Sequence, residues 1–403
     1  MKHLFVTQDY APDLGGMARR HLELCRRFGD GEETTMSVST VAAAGAAAFD
    51  ANEDFPIYRQ PFRFQHANRF INQARWAAWL TSPRGARFDV LHCGNIRPVG
   101  YAVWWAHAAR RKPYLIYVNG GDLLRERKKA RVSRLKRNTA RAILGAAAGI
   151  VATSDWVADL SKEVLEMVGV TRHPAVAALG LGTDPVQFHP SRDAGTLRRR
   201  WGVENAPVMI TVARLVPHKG QDNGIRALAV LRHQFPELRY ILVGEGHDEQ
   251  RLRDLARELS VEDRVGFVGP MRDDELPEAY ATSTIYVGLS RIDREINAEG
   301  YGISFLEAAA SGVPSVAGDS GGVRSAVRDG ETGILVPPEN VDAIVSAIRS
   351  LLVDENRRKE MGRAGRLAVE TYYNWDRVAR DTREFTSEVL DRQRKERAGG
   401  SAT

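Results

Sequence analysis

The sequence predicts an α/β protein of two doubly wound, Rossmann-like domains, each a parallel sheet with helices on both faces. Three observations lead there. At 403 residues the chain is too long for one ordinary domain of roughly 100–150 residues. Both halves alternate short β-branched or aliphatic runs with longer helix-like segments, the signature of strands joined by crossover helices. Between the halves, Gly180-Leu-Gly-Thr-Asp-Pro-Val-Gln-Phe-His-Pro190 gathers glycines and prolines, and the regular pattern stops.

In order along the chain, strands are expected at Leu4 to Thr7, Val90 to Cys93, Tyr114 to Val118 and Gly149 to Thr153. Those of the second half are expected at Val208 to Val212, Tyr240 to Val243, Val265 to Val268, Ile285 to Leu289 and Ser315 to Ala317. The expected domains are 1–185 and 186–374. Trp375 to Arg397 reads as one long polar helix, and 375–403 is expected to be that helix, packing back on the first domain, and a polar tail. No repeat of 20 to 50 residues is visible, which argues against a solenoid.

Composition narrows the class. With 43% hydrophobic and 27% charged residues, the chain is neither disordered, fibrous nor a disulfide-stapled miniprotein. Cys25 and Cys93 stand outside any C-x-x-C or Cys/His cluster, so a reducing, cytoplasmic setting is expected and a metal site is not. The longest nearly apolar stretch, Ala142 to Ala152, is about half of the ~20 residues that cross a bilayer, and no leader segment is expected.

Charge is unevenly spread. Residues 1–190 carry 26 Lys+Arg against 17 Asp+Glu, and residues 191–403 carry 31 against 34. Most of the excess lies in 125–141, where nine basic residues meet one acid. Such a run serves as a solvated helix face or as a patch drawn to an anionic membrane or acceptor. Nucleic acid is set aside, because no aromatics interleave the cations as a stacking platform requires.

Four segments carry the chemistry. After the first strand, Gly15-Gly16 opens a helical pattern of Ala18, Leu22, Cys25 and Phe28. There, bare backbone amides and the helix dipole either receive a phosphate or simply make a tight turn. After Val208 to Val212, the cations Arg214 and Lys219 straddle a Pro-containing turn at the C-terminal end of a strand, where open α/β sheets bind ligands. A diphosphate fits that pair, as does a plain surface role. The Gly244-Glu245-Gly246 turn after the next strand adds a point of close backbone approach. The richest segment is Asn297-Ala-Glu299-Gly-Tyr-Gly-Ile-Ser-Phe-Leu-Glu307-Ala-Ala-Ala310. Its apolar Ile303, Leu306 and Ala310 predict a helix starting near Gly302 and burying that face. Glu307 then sits among apolar residues and Glu299 just before the helix. A buried carboxylate needs hydrogen-bond donors, and sugar hydroxyls supply them; an arginine partner or a capping role is the plainer alternative.

Glu299 to Glu307 resembles the E-x7-E motif of the retaining glycosyltransferases of family 4, which have the GT-B fold of two domains facing a cleft. The likeness extends to the Gly15-Gly16 loop, Arg214 with Lys219, Phe267-Val-Gly-Pro-Met271, Gly318-Asp-Ser-Gly-Gly322 and Asp329 to Pro337. The loop Ser290 to Asn297 is similar to the mannosyltransferases acting on phosphatidylinositol mannosides. This resemblance implies a nucleotide diphosphate sugar donor, with Glu307 on the ribose hydroxyls and Glu299 on the transferred hexose. It places Arg214, Lys219 and the amides near Gly15, Gly16, Gly302, Ile303 and Ser304 on the diphosphate, and the base near Met271. Cationic stabilisation of the leaving diphosphate implies no metal or other cofactor, and no Asp-x-Asp pair suggests one. A glycan or lipid-linked acceptor is implied, with the enzyme at the inner face of a membrane.

One departure stands out. Family members often carry His-Gly after the strand matching Tyr114 to Val118, and this chain reads Asn119-Gly. An amide donates and accepts hydrogen bonds but carries no proton charge near neutral pH. His92 and His107 are the available imidazoles, and both stand where structural histidines are usual. The competing functions are a non-hydrolysing sugar-nucleotide epimerase, which needs no acceptor, and a non-catalytic sugar-nucleotide or polyanion binder.

Overall fold

The computed structural model describes residues 1–13, 15–29, 33–64, 69–293 and 296–399. Leu14 of the first glycine loop, Arg294 and Glu295 of the Ser290 to Asn297 loop, and the last four residues of the polar tail lie outside them. The chain forms two compact units. The first comprises Met1–Gly180 with the C-terminal helix, and the second Leu181–Asn374. The join thus falls five residues before the expected 185/186. The reason is local, since the Thr183 amide donates to Tyr373 O at 2.9 Å and Thr183 bridges to Asn374, tying 181–185 to the second unit.

In the first unit β1 (Lys2–Val6), β2 (Thr35–Val41), β3 (Ile57–Gln60), β4 (Val90–Cys93), β5 (Tyr114–Val118), β6 (Gly149–Ala152) and β7 (Ala175–Ala178) form one parallel sheet. Its order is β3-β2-β1-β4-β5-β6-β7. In the second, β8 (Val208–Val212), β9 (Arg239–Val243), β10 (Val265–Gly269), β11 (Ile285–Gly288), β12 (Ser315–Gly318) and β13 (Gly333–Val336) run β10-β9-β8-β11-β12-β13. Both orders reverse once, between β1 and β4 and between β8 and β11. Ligands of such sheets bind beyond the strand C-termini at that reversal.

Strands of parallel sheets are covered on both faces, so they read as continuous apolar runs. β4, β5 and β8 keep their expected limits, and the other expected strands differ only at their ends. β2, β3, β7 and β13 were not expected. β2 reads Thr-Met-Ser-Val-Ser-Thr-Val, without a continuous apolar run, and buries the Ser39 hydroxyl, to which Trp76 Nε1 and Gln60 Nε2 donate at 2.9 and 3.2 Å. β3 and β7 are sheet edges, and β7 is mostly alanine, a weak strand former. The second core gathers Met209, Ile225, Leu228, Leu242, Val287 and Ile348 between sheet and helices.

The helix Trp375–Gly399 belongs to the first unit. It is polar by composition, yet Val378, Ala379, Phe385, Val389 and Leu390 are buried. Arg383 Nη1 donates to the Arg27 and Phe28 carbonyls at 2.8 and 3.0 Å, closing the C-terminus of the helix Gly16–Phe28. The basic stretch 125–141 is two helices, Gly121–Val132 and Arg134–Gly145, separated at Ser133, whose hydroxyl accepts from the Lys136 amide. No helix among the described residues is long and apolar enough to cross a membrane.

Three imidazoles, those of His3, His21 and His92, are buried among the described residues of the first unit. His92 bridges His3 Nδ1 at 2.9 Å and Tyr117 Oη at 2.8 Å, and burial, then His3, hold it well below its ordinary value. Burial takes His21 down to about 3 despite its bond to the Asp9 carbonyl. Both folded values lie below the unfolded one near 6.5, so the unfolded chain takes up protons first. Stability present above that pH is lost below it, by about 1.4 kcal/mol for each histidine at pH 5.5. Urea midpoints at pH 7.5 and 5.5 measure this; equal midpoints would contradict neutral burial.

Candidate active site

At the reversal of the second sheet two loops meet. The first runs from β8 through Arg214 to Lys219, and the second from β11 through Glu299 to Gly302. Lys219 Nζ is hydrogen-bonded and ion-paired to Glu299 Oε2. Burial pushes the Glu299 carboxyl up, but the Lys219 charge and hydrogen bond, the Tyr301 amide and His218 together hold it below its ordinary range. Behind the pair the backbone is braced. Gly322 N donates to Glu299 O at 2.9 Å, which gives the Gly318 to Gly322 motif its place. Arg291 clamps Asp222 through two bonds of 3.0 and 2.9 Å, and its amide donates to His218 O.

His218, beside Lys219, was not foreseen in the sequence. Burial, then Lys219 and Arg214, lower its imidazole to about 4. A neutral ring here adds no further charge to the cationic loop. Arg214 is exposed, with no carboxylate partner among the described residues. The Gly244 to Gly246 turn supports this loop: Leu215 N donates to Glu245 O at 2.9 Å and Gly244 N to Gly269 O at 2.8 Å. The latter bond fixes the end of β10, and half-buried Met271 follows just beyond it.

The helix Ile303–Ala310 starts after Gly302, whose φ of 94° is the left-handed conformation glycine favours. A side chain there would also strike Phe305. The helix has no side-chain cap and no acid in its first turn. Its first amides, at Ile303 and Ser304, therefore face outward with the positive end of the helix dipole. Ile303 is only half-buried, whereas Phe305 through Ala310 are all buried. The expected single apolar face is thus an all-round one, because the helix lies between β11–β12 and a further helix, Glu355–Thr371. Glu307 is 4% exposed, and Tyr280 Oη donates to its Oε2 at 2.6 Å. A tyrosine is thus one partner of this carboxylate. Tyr286 Oη donates to Ser304 Oγ at 2.7 Å and completes the polar floor.

In the first unit, Gly15 has φ 142° and Gly16 begins the helix Gly16–Phe28. Neither would meet another atom if given a side chain, and both are exposed. This N-terminus too has no side-chain cap and no acid in its first turn. Asn119, at the end of β5, touches the same helix. Arg20 Nη1 donates to Asn119 Oδ1 at 2.7 Å, and Asn119 Nδ2 approaches Met17 Sδ at 3.3 Å. Asp122 Oδ1 accepts from the Asn119 and Leu123 amides at 3.0 and 2.9 Å. Neither alternative imidazole joins this group. His92 is fully buried, and His107 Nδ1 is bonded to Lys112 O at 2.7 Å at the end of its helix. Arg20 was missed because arginines are common in amphipathic helices and nothing in its spacing marks it as buried.

Within the second unit the structure thus assembles Lys219, Glu299, Glu307, Gly302, Ile303 and Ser304 around one sheet reversal. Within the first it assembles Gly15, Gly16 and Asn119. Among the described residues no group of three or more His, Cys, Asp and Glu could hold a metal ion.

Comparison with known proteins follows this division. The family model "Glycosyltransferase Family 4" matches residues 14–172, and "Glycosyl transferases group 1" matches residues 193–368. The GDP-mannose-dependent alpha-(1-6)-phosphatidylinositol monomannoside mannosyltransferase of Mycobacterium tuberculosis is 37% identical over 206 residues, 51% of this chain and 54% of that protein. The chain thus spans about half the length of this curated relative. A GDP-mannose-dependent monoacylated alpha-(1-6)-phosphatidylinositol monomannoside mannosyltransferase of Corynebacterium glutamicum is 28% identical over 93% of this chain and 95% of its own. Among solved structures, Anabaena HepE in complex with UDP-glucose superposes with a TM-score of 0.77 at 21% identity, covering 96% of this chain and 100% of that one. A Rickettsia africae glycosyltransferase gives 0.76 at 18% identity, covering 96% and 98%. These two likenesses speak for the fold. Two family models in tandem on two parallel-sheet units, joined to the E-x7-E segment, make this chain a member of the family 4 glycosyltransferases with the GT-B fold.

Proposed function

We propose that the protein transfers a mannose-type hexose, with retention, from a nucleotide diphosphate sugar to an acceptor hydroxyl carried on a lipid or glycan. The observation that carries the reading is the Lys219–Glu299 ion pair at the β8/β11 reversal, beside the uncapped helix Ile303–Ala310 and the buried Glu307. In this reading Arg214, Lys219 and the amides of Ile303 and Ser304 hold the diphosphate, with the Gly15-Gly16 amides as a second anion site. Glu299 takes hydroxyls of the hexose and Glu307 those of the ribose, while the base stacks near Met271. Cleaving the anomeric C–O bond leaves its electron pair on the diphosphate, and fixed cations and helix dipoles stabilise that charge. The departing phosphate oxygen takes the proton of the acceptor hydroxyl, which attacks the same face. No metal is assigned a part, since Arg214 and Lys219 supply the charge.

GDP-mannose is the favoured donor because the relatives named for it match at up to 39% identity. A lipid-borne acceptor is favoured by 125–141. Arg125, Lys128, Lys129, Arg131, Arg134, Lys136, Arg137 and Arg141 are exposed there, with exposed Val132 and Leu135 at the helix break among them. Cations beside exposed aliphatic side chains suit an anionic lipid surface.

One experiment tests both parts. The protein is incubated with GDP-mannose, UDP-glucose or ADP-glucose and vesicles of phosphatidylinositol mannoside with increasing anionic lipid, and sedimentation and product mass are read. Mannosylated lipid from GDP-mannose, with vesicle binding that falls between low and physiological salt as screening shortens to about 8 Å, is expected. Replacing Lys128, Arg131, Arg134 and Lys136 with Gln should release the vesicles and leave donor affinity unchanged. An epimerised donor without acceptor, or binding without turnover, would refute the transferase reading. A wild-type protein that ignores anionic vesicles at low salt would leave 125–141 as a solvated face.

A further inference from the structure

Where family members often place a histidine, this chain places an amide against a buried guanidinium. Arg20 is 2% exposed. Burial, offset by Tyr117 and Asp122, lowers it to about 10. Its Nη1 donates to Asn119 Oδ1 and its Cζ lies 5.1 Å from the centre of the Tyr117 ring, while Nε has no hydrogen-bond partner. Asp122 is half-buried, its carboxyl raised by burial, and its Oδ2 atom is enclosed and without a partner. Burying a guanidinium beside an enclosed carboxylate oxygen, with a polar atom of each left over, is costly. The cluster therefore calls for a role beyond packing.

We propose that Arg20 is a positioning residue that sets the Asn119 carboxamide as a fixed hydrogen-bond donor to a substrate oxygen; this rests on the transferase reading above. Arginine has donors only, so the atom facing it must be the amide oxygen. The NH2 group then turns the other way, where it meets Met17 Sδ, a weak acceptor that a substrate oxygen readily outcompetes. Met17 and Arg20 lie three residues apart and share one face of the helix Gly16–Phe28, so a single turn grips both ends of the amide. The Asn119 backbone is held in turn by Asp122 Oδ1. A histidine at this position would stand beside a buried cation, which disfavours its charged form. An amide gives the donor without a titration.

Kinetic constants for four variants test this. Asn119→Asp keeps an oxygen toward Arg20, which supplies its counter-charge, but replaces the donor with an acceptor. It should fold and lose at least 50-fold in kcat, with donor KM within threefold. Arg20→Met should lose at least tenfold in kcat. In an Asn119→Ala background Arg20→Met should change kcat less than twofold, because residues acting through one another are not additive. Multiplying losses, or an Asn119→Asp protein with more than half of wild-type kcat, would overturn the proposal. If the wild type transfers from no nucleotide sugar, the transferase reading has failed. The proposal is then judged on asparagine-15N-labelled protein. The Asn119 NH2 signal, identified by its loss in Asn119→Ala, should exchange with water at least tenfold faster in Arg20→Met, and equal rates refute the lock.

Discussion

Lys219→Ala should lower kcat for sugar transfer by two to three orders of magnitude, the size seen when one preorganised electrostatic group is removed. In the proposed reaction the variant lacks the ammonium when charge on the leaving diphosphate is greatest. It also leaves Glu299 with its burial but without its main counter-charge. The Lys219 charge and hydrogen bond are what offset burial there, so the Glu299 carboxyl should rise and the acid limb of the kcat/KM profile should move to higher pH. Lys219→Arg should recover part of the rate, because a guanidinium restores the charge without the compact geometry of an ammonium. A Lys219→Ala protein with unchanged kcat and a raised donor KM would reduce Lys219 to uniform binding.

Legibility followed the physics of each segment. Buried strands such as Tyr114–Val118 and Val208–Val212 are apolar without interruption, and their limits could be read directly. Strand β2 could not, because its Ser39 finds partners only once Trp76 and Gln60 fold against it. The cations Arg214 and Lys219 and the carboxylates of the E-x7-E segment were legible because each set follows a strand end within one continuous stretch of sequence, the second running from the loop after β11 into the helix Ile303–Ala310. Their pairing was not, since Lys219 and Glu299 lie 80 residues apart and meet only through the β8/β11 reversal. Tyr280 on Glu307 and Arg20 on Asn119 are likewise long-range choices, and neither residue has a local pattern that distinguishes it from core or surface. The break at Ser133 was also hidden, because a single serine in a basic run reads as helix until its hydroxyl caps the next segment.

The two glutamates should separate under calorimetry with the nucleoside diphosphate alone. Glu307→Gln is nearly isosteric, and its amide oxygen can still accept from Tyr280, so the fold should survive. In the proposed assignment it loses a charged acceptor for ribose hydroxyls, about 1.5–3 kcal/mol or roughly 10- to 100-fold in Kd. Glu299→Gln should act in the opposite way on the same ligand. It removes the carboxylate that neutralises Lys219 and leaves the ammonium free for phosphate, so nucleoside diphosphate affinity should hold or tighten. Sugar transfer by that variant should nonetheless fall by about 10²-fold, because in the proposed assignment the hexose loses its carboxylate partner where only correct geometry is productive. The sign of the change in nucleotide affinity is thus the discriminating quantity. Equal losses of affinity in the two variants would mean that both carboxylates hold the nucleotide, and the division between ribose and hexose would be abandoned.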